Sequence, residues 1–200
     1  MRPVPTEPPG EIHSIARALG VNSPRLEWAA LQLYLKRKDR PKSSYQALRA
    51  ATFYASCRLL GVPRTLKDVS AATGVRACDI AREYRRILLE ESLRVRQPDP
   101  AAYVPDIARR AGLGPTVERR AVEIVSTLKE IGATAGKAPT TVAAASLYVA
   151  YSELHPMRAE GEPTQKSIAD AAGVNELSVR NLSHATRSTL AWAAERVNTP

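Results

Sequence analysis

Leu177, Ser178, Arg180 and Asn181 stand close together in the stretch NELSVRNLSHATRSTL, and the chemistry open to them is recognition. An arginine guanidinium can fork onto the two acceptors of a guanine edge, an asparagine amide can do the same on adenine, and a leucine can pack on a thymine methyl. At helical spacing Leu177, Arg180, Asn181, His184 and Arg187 share one face, while Val179, Leu182 and Thr186 fall on the other. An ordinary helical hairpin with a solvated polar face has the same pattern, so this segment alone leaves both readings open. Bond-making chemistry has no comparable foothold. His13, His155 and His184 lie in unrelated segments without HExxH spacing, and no glycine-rich phosphate loop occurs. Most carboxylates sit beside Arg or Lys on faces expected to be exposed, so none reads as a buried acid/base pair. No catalytic residue, cofactor or metal ligand set is expected. Cys57 and Cys78 form no CxxC pair, which leaves neither a zinc site nor a disulfide framework and suits a reducing compartment.

Two short helices must hold the recognition face. Thr164 can cap the first, whose inner side is expected to carry Ile168, Ala171 and Ala172. Gly173 suits the left-handed residue that ends a helix, and Asn175 can cap the second helix through its side-chain oxygen. A short helix, a glycine turn and a helix with Arg and Asn in its first half describe a helix-turn-helix.

The remaining chain reads as helices too, because Ala is abundant and there is a single Phe. Met1 to Gly10 carries four prolines and is expected to be an extended lead-in. Helices are expected from Glu11 to Leu19, from Pro24 up to the basic run Lys36–Lys42, from a cap at Ser43 or Ser44 to Leu60, from Thr65 to Gly74 with Asp68 completing a capping box, and from Ala77 to Leu93. Gln97-Pro98-Asp99-Pro100 marks a break. The second half then repeats the first. Arg17-Ala18-Leu19-Gly20 is echoed by Arg109-Arg110-Ala111-Gly112, and Pro24 by Pro115. Ala50-Ala51-Thr52-Phe53-Tyr54 is echoed by Ala144-Ala145-Ser146-Leu147-Tyr148, and TLKDVSAATGV from Thr65 by TQKSIADAAGV from Thr164. The spacing between copies drifts only in loops, where insertions belong. The fold expected is all-α, with two tandem five-helix domains at 11–96 and 97–200 and the helix-turn-helix in the second.

Charge is distributed unevenly between the copies. Residues 1–100 hold 18 Lys/Arg against 10 Asp/Glu, and residues 101–200 hold 11 against 10, which places the basic excess in the first half. The net charge of +9 and a pI near 9.9 favour a polyanionic partner, nucleic acid first. The longest uncharged run, Ala138 to Ser152, has 15 residues, too few to span a bilayer, so no membrane partner is expected.

Three stretches in order carry a family resemblance. Ser56-Cys57-Arg58 … Gly61-Val62-Pro63-Arg64-Thr65 resembles the "CR..G.PRT" signature of the first repeat of transcription factor B, the archaeal member of the TFIIB family. Gly136-Lys137-Ala138-Pro139 through Ala143-Ala144-Ala145-Ser146-Leu147-Tyr148 resembles the second repeat's "GK.P…AAA.LY". Ala172-Gly173-Val174-Asn175-Glu176-Leu177-Ser178-Val179-Arg180-Asn181 is similar to its "AGV..VT(I/V)RN" recognition helix. The resemblance runs from Glu11 to Leu190 and implies two cyclin-like domains that clamp the complex of TATA-binding protein (TBP) with promoter DNA. The second repeat would read an element upstream of the TATA box and so orient transcription. It places Leu177, Ser178, Arg180 and Asn181 at base-reading positions, Lys137, Thr164, Lys166 and Arg187 on the DNA backbone, and Lys42, Arg58, Arg64 and Lys67 against TBP or the backbone. Arg82, Arg85 and Arg86 of the first copy suit phosphates or an acidic protein surface, or else a solvated face ion-paired through Glu83 and Glu90. The implied protein is a monomeric initiation factor of the archaeal cytoplasm, associated with the nucleoid, or of the nucleus if eukaryotic. It would not be an enzyme, and RNA polymerase is a weaker expected partner. The family's N-terminal zinc ribbon has no counterpart in these residues, and the usual Gly-Arg before the Ala-rich helix is Lys42-Ser43. After Asn181 the family's aromatic and basic run is replaced by Leu182-Ser183-His184-Ala185. A cyclin-type protein-binding scaffold and a stand-alone DNA-binding repressor are the alternatives.

Overall fold

The computed structural model describes residues 10–39, 44–156 and 162–197, and among them regular structure is helical throughout. The chain divides into two compact units, Met1–Arg96 and Gln97–Pro200. The first holds α1 (Gly10–Ala18), α2 (Pro24–Arg37), α3 (Tyr45–Leu59), α4 (Leu66–Thr73) and α5 (Ala77–Glu90). The second holds α6 (Val104–Arg110), α7 (Pro115–Glu130), α8 (Pro139–Leu154), α9 (Gln165–Ala172) and α10 (Glu176–Val197). Two five-helix, cyclin-like repeats are therefore present, as the internal repetition implies.

Local chemistry sets most helix ends. Ser23 accepts from the Leu26 amide at 3.3 Å, with Pro24 at the first helical position of α2, and Ser44 accepts from Ala47 at 3.1 Å to open α3. Thr65 and Asp68 close a reciprocal capping box on α4, which ends at Gly74 with φ +69°. Gly10, read from sequence as the end of the lead-in, opens α1, and the rest of that lead-in lies outside the described residues; other boundaries depart as well. α5 stops at Glu90 instead of reaching Leu93, because the chain turns through Ser92 at φ +50° while Glu90 and Glu91 pair with Arg37 and Lys36. The break at Pro98–Pro100 leads into a short 3-10 turn over Pro100–Tyr103. Asp99 caps this turn by accepting from Ala101, and it also meets Lys129 Nζ at 2.5 Å.

Each unit is built around one helix buried on nearly every side. In α3 the run Ala50–Cys57 is buried throughout, and in α8 the run Val142–Tyr151. A helix apolar all round belongs in a core, and its alanines let neighbouring helices approach closely. α2 and α5 pack on α3, and α7 and α10 pack on α8. In the second unit Ile107, Ile124, Leu128, Val142, Leu147, Ile168 and Val179 belong to one apolar cluster. In the first, Phe53 and Cys57 centre one cluster with α1 and α2, and Leu48, Val69, Ile80 and Ile87 a second. Among the described residues no helix is long and apolar enough to cross a membrane.

Candidate nucleic-acid interface

α9, its turn and the start of α10 form a rigidly punctuated unit. Thr164 Oγ1 accepts from the Ser167 amide at 3.1 Å and Ser167 Oγ from the Thr164 amide at 2.8 Å. Gly173 takes φ +66°, and Asn175 Oδ1 accepts from the Leu177 amide at 2.8 Å to start α10. Inward, α9 buries Ile168, Ala169 and Ala172, while Ala171 is only partly covered. Here Ala169 takes the place that the sequence reading gave to Ala171. α10 turns Val179, Ser183 and Thr186 inward, with Leu182 half-buried beside them.

Outward, Leu177 is 57% exposed, an apolar side chain held in water on the first turn of α10. Arg180 lies beside it, with its Nε donating to Gln165 Oε1 at 3.2 Å and its Nη2 to Glu176 Oε1 at 2.7 Å. Ser178 and Asn181, also exposed, lie on a different flank. With Leu182 and Ala185 they line a cleft of about 430 Å³ whose other wall is Lys137, Ala138 and Thr141 at the N-terminus of α8. That terminus has no side-chain cap, but Pro139 has no N–H and the Thr141 and Val142 amides donate to the Ala138 carbonyl at 3.0 Å, so the exposed Lys137 is the main group it offers an anion. The structure thus brings Lys137 together with Ser178 and Asn181, and sets Leu177 with Arg180. Thr164 and Lys166 are exposed at the start of α9, whereas Arg187 turns back onto α8, its Nη2 donating to Ser152 Oγ at 3.1 Å and its guanidinium over the Tyr148 ring.

The basic residues named in the first unit are largely occupied by its own fold. Arg58 Nη1 donates to the Tyr54 hydroxyl at 3.3 Å and its Nη2 to the Arg96 carbonyl at 3.1 Å. Arg64 donates to the carbonyls of Pro63 at 2.8 Å and Leu19 at 3.1 Å, tying the loop before α4 to the end of α1. Lys67 is exposed, and Lys42 lies outside the described residues. Of the basic run, Arg37 is buried against Glu90 and Glu91, and Lys36 pairs with Glu91. On α5, Arg86 pairs with Glu83 and Arg82 with Asp79. The Arg76 hydrogen bond holds the Asp79 carboxyl below its ordinary value. The expected ion pairing through Glu83 is found for Arg86, whereas Arg82 uses Asp79 and Glu90 meets Arg37; Arg85 has no partner among the described residues.

Sequence reasoning missed Gln165 and Glu176. The four-residue spacing of Glu176 and Arg180 on one helix was available as a signal, whereas the approach of Gln165 depends on how α9 crosses α10. Among the described residues no group of three or more His, Cys, Asp or Glu is placed to hold a metal ion.

Residues 94–187 match the family described as the transcription factor TFIIB repeat. The chain is 44% identical over 138 residues to a transcription initiation factor IIB of Pyrodictium occultum, a match covering 69% of this chain and 43% of that protein. It is 37% identical over 174 residues to the factor of Archaeoglobus fulgidus, covering 86% of this chain and 52% of that one. It is also 33% identical over 177 residues to a transcription initiation factor IIB 6 of Halobacterium salinarum, covering 88% and 54%. The chain thus spans about half the length of the curated relatives it matches.

Proposed function

Because the chain belongs to the transcription factor TFIIB family, we propose that it is the core of a general transcription initiation factor that binds the TBP–TATA promoter complex and orients transcription. In this reading α9 and α10 form a helix-turn-helix whose second helix enters the major groove just upstream of the TATA box. Leu177 and Arg180 read base edges there, by methyl packing and a bidentate fork. The Lys137 cleft, with Ser178 and Asn181 on its rim, holds a backbone phosphate at the start of α8, and Thr164 and Lys166 contribute further phosphate contacts. The first repeat supplies charge toward phosphates or an acidic face of TBP. Its exposed Arg85 and Arg94 are better placed for that than Arg58 and Arg64, whose guanidiniums bond within the fold. RNA polymerase is the partner proposed to be recruited to the assembled complex, and no enzymatic activity is proposed.

The observation that carries this reading is the outward face of α10. Leu177 and Arg180 are displayed on a helix capped at its start by Asn175, where the first copy of the same motif has Cys78 and Ala81. Mobility-shift binding to a TATA promoter, with and without the matching TBP, tests it. The expected result is a ternary complex that forms only with TBP and weakens when the bases upstream of TATA are scrambled. Arg180→Ala should cost ~1–3 kcal/mol and relax specificity at one base pair. Tight binding without TBP would instead indicate a stand-alone repressor, and no binding at low salt would indicate a protein-binding scaffold.

A further inference from the structure

We infer that Gln165 and Glu176 are positioning residues that fix the aim of Arg180 and thereby set how strictly it selects its base, an inference that rests on the reading of α10 as a groove helix. Arg180 has a long side chain that is 58% exposed. Left to itself, such a group samples many rotamers and loses that freedom on binding. Here two acceptors from two helices hold it, Gln165 Oε1 on Nε at 3.2 Å and Glu176 Oε1 on Nη2 at 2.7 Å. Both act on the Nε–Nη2 edge of the guanidinium. Among the described residues Nη1 is left without a partner, and the Nη1–Nη2 edge stays free to meet a guanine edge.

A comparison between the two copies separates this device from the fold. Aligning Thr65 with Thr164 and Gly74 with Gly173, both copies keep the N-terminal threonine, the lysine two residues on, the glycine and the valine that follows it. The positions of Gln165, Glu176 and Arg180 are Leu66, Ala77 and Ala81 in the first copy. The three polar residues are present together in one repeat and replaced together by apolar ones in the other, although both first helices have a capping box and end at a left-handed glycine. Glu176 also adds a penalty for error: a carboxylate carried into a groove between phosphates is repelled unless Arg180 stays paired with it or a base amine meets it.

The test is competition binding of the full chain with TBP on duplexes carrying every single-base change upstream of TATA, for wild type, Gln165→Leu, Glu176→Ala, Glu176→Gln and Arg180→Ala, and for each Gln165 or Glu176 change combined with Arg180→Ala. Discrimination at the Arg180 base pair is expected to fall about 5- to 10-fold in Gln165→Leu and Glu176→Ala, with Glu176→Ala binding scrambled DNA more tightly. Glu176→Gln keeps an acceptor and is expected to keep most of the discrimination. In the Arg180→Ala background the base preference should not respond to either change. If Arg180→Ala loses the preference while both single changes leave it intact, or if they shift it equally without Arg180, the inference is overturned and the reading of α10 survives. If Arg180→Ala itself changes nothing, both fall.

Discussion

Thr186 occupies the position that Ile87 fills in the first copy, and it is 2% exposed with its hydroxyl unpartnered among the described residues. Its neighbour Ser183, equally enclosed, donates to the Val179 carbonyl at 2.7 Å. A buried hydroxyl without a partner costs ~1–3 kcal/mol of desolvation. Thr186→Val keeps the shape and removes the group, and is expected to stabilise the chain by about 1 kcal/mol, read as a higher urea midpoint at unchanged slope. Cys57 makes a pH-dependent case. Burial pushes its thiol from 9.0 up to about 12, against the opposing charge of Arg64. The unfolded chain ionises this thiol first, so its contribution is intact below pH 9.0 and is lost as pH rises toward about 12. The loss should run at about 1.4 kcal/mol per pH unit and be absent from the corresponding profile of Cys57→Ala. A maleimide offered to the native protein is expected to label the exposed Cys78 and spare Cys57 until denaturant is added.

At the scale of the element, what could be read from sequence is what neighbours in the chain decide. Thr65–Asp68, the Thr164 cap and the glycines after α4 and α9 are caps closed within a few residues, and their residue types announced them, while the return bond of Ser167 to Thr164 was not foreseen. The end of α5 was not legible, because Ser92 is neither Gly nor Pro and the partners of Glu90 and Glu91 come from α2, far away in sequence. The site divides the same way. The outward face of α10 follows from helical periodicity, while the cleft joining Lys137 to Ser178 and Asn181 exists only because α10 packs on α8. The turn glycines give a direct test. At Gly74 an added Cβ would meet nothing within 4 Å, so the cost of Gly74→Ala is that of the left-handed backbone alone, ~1–2 kcal/mol. Gly173→Ala should cost a similar amount, and Gly173→Asn less, in denaturant unfolding. The central helices test packing instead. Ala144 is wholly buried on α8, and Ala144→Leu is expected to cost ~1–3 kcal/mol by forcing its neighbours apart.

For the whole molecule the informative quantity is charge, and net charge and usable charge part company. The first hundred residues carry 18 Lys/Arg against 10 Asp/Glu, a surplus plain in the sequence. Which of those cations face a partner was hidden, because the answer lies in tertiary pairs. Arg37, 8% exposed, bridges α2 to Glu90 and Glu91, and Arg86 meets the buried Glu83, so neither is presented to a polyanion. Arg85 on α5 and Lys137 before α8 are exposed, and among the described residues their charged groups have no partner. Salt separates the two kinds. Each phosphate neutralised by a cation releases condensed counterions, and log K falls with log salt by about 0.9 per contact on duplex DNA. Binding to the TBP–promoter complex should therefore weaken steeply between about 50 and 200 mM salt. Lys137→Ala is expected to lower that slope by about one and to weaken specific and scrambled sites alike, since phosphates carry no sequence. Arg85→Ala should lower it by about one as well if the first repeat lies on DNA, and leave it unchanged if that face meets protein. Arg37→Ala should lower the urea midpoint instead, with no change of slope, because its charge is spent inside the fold.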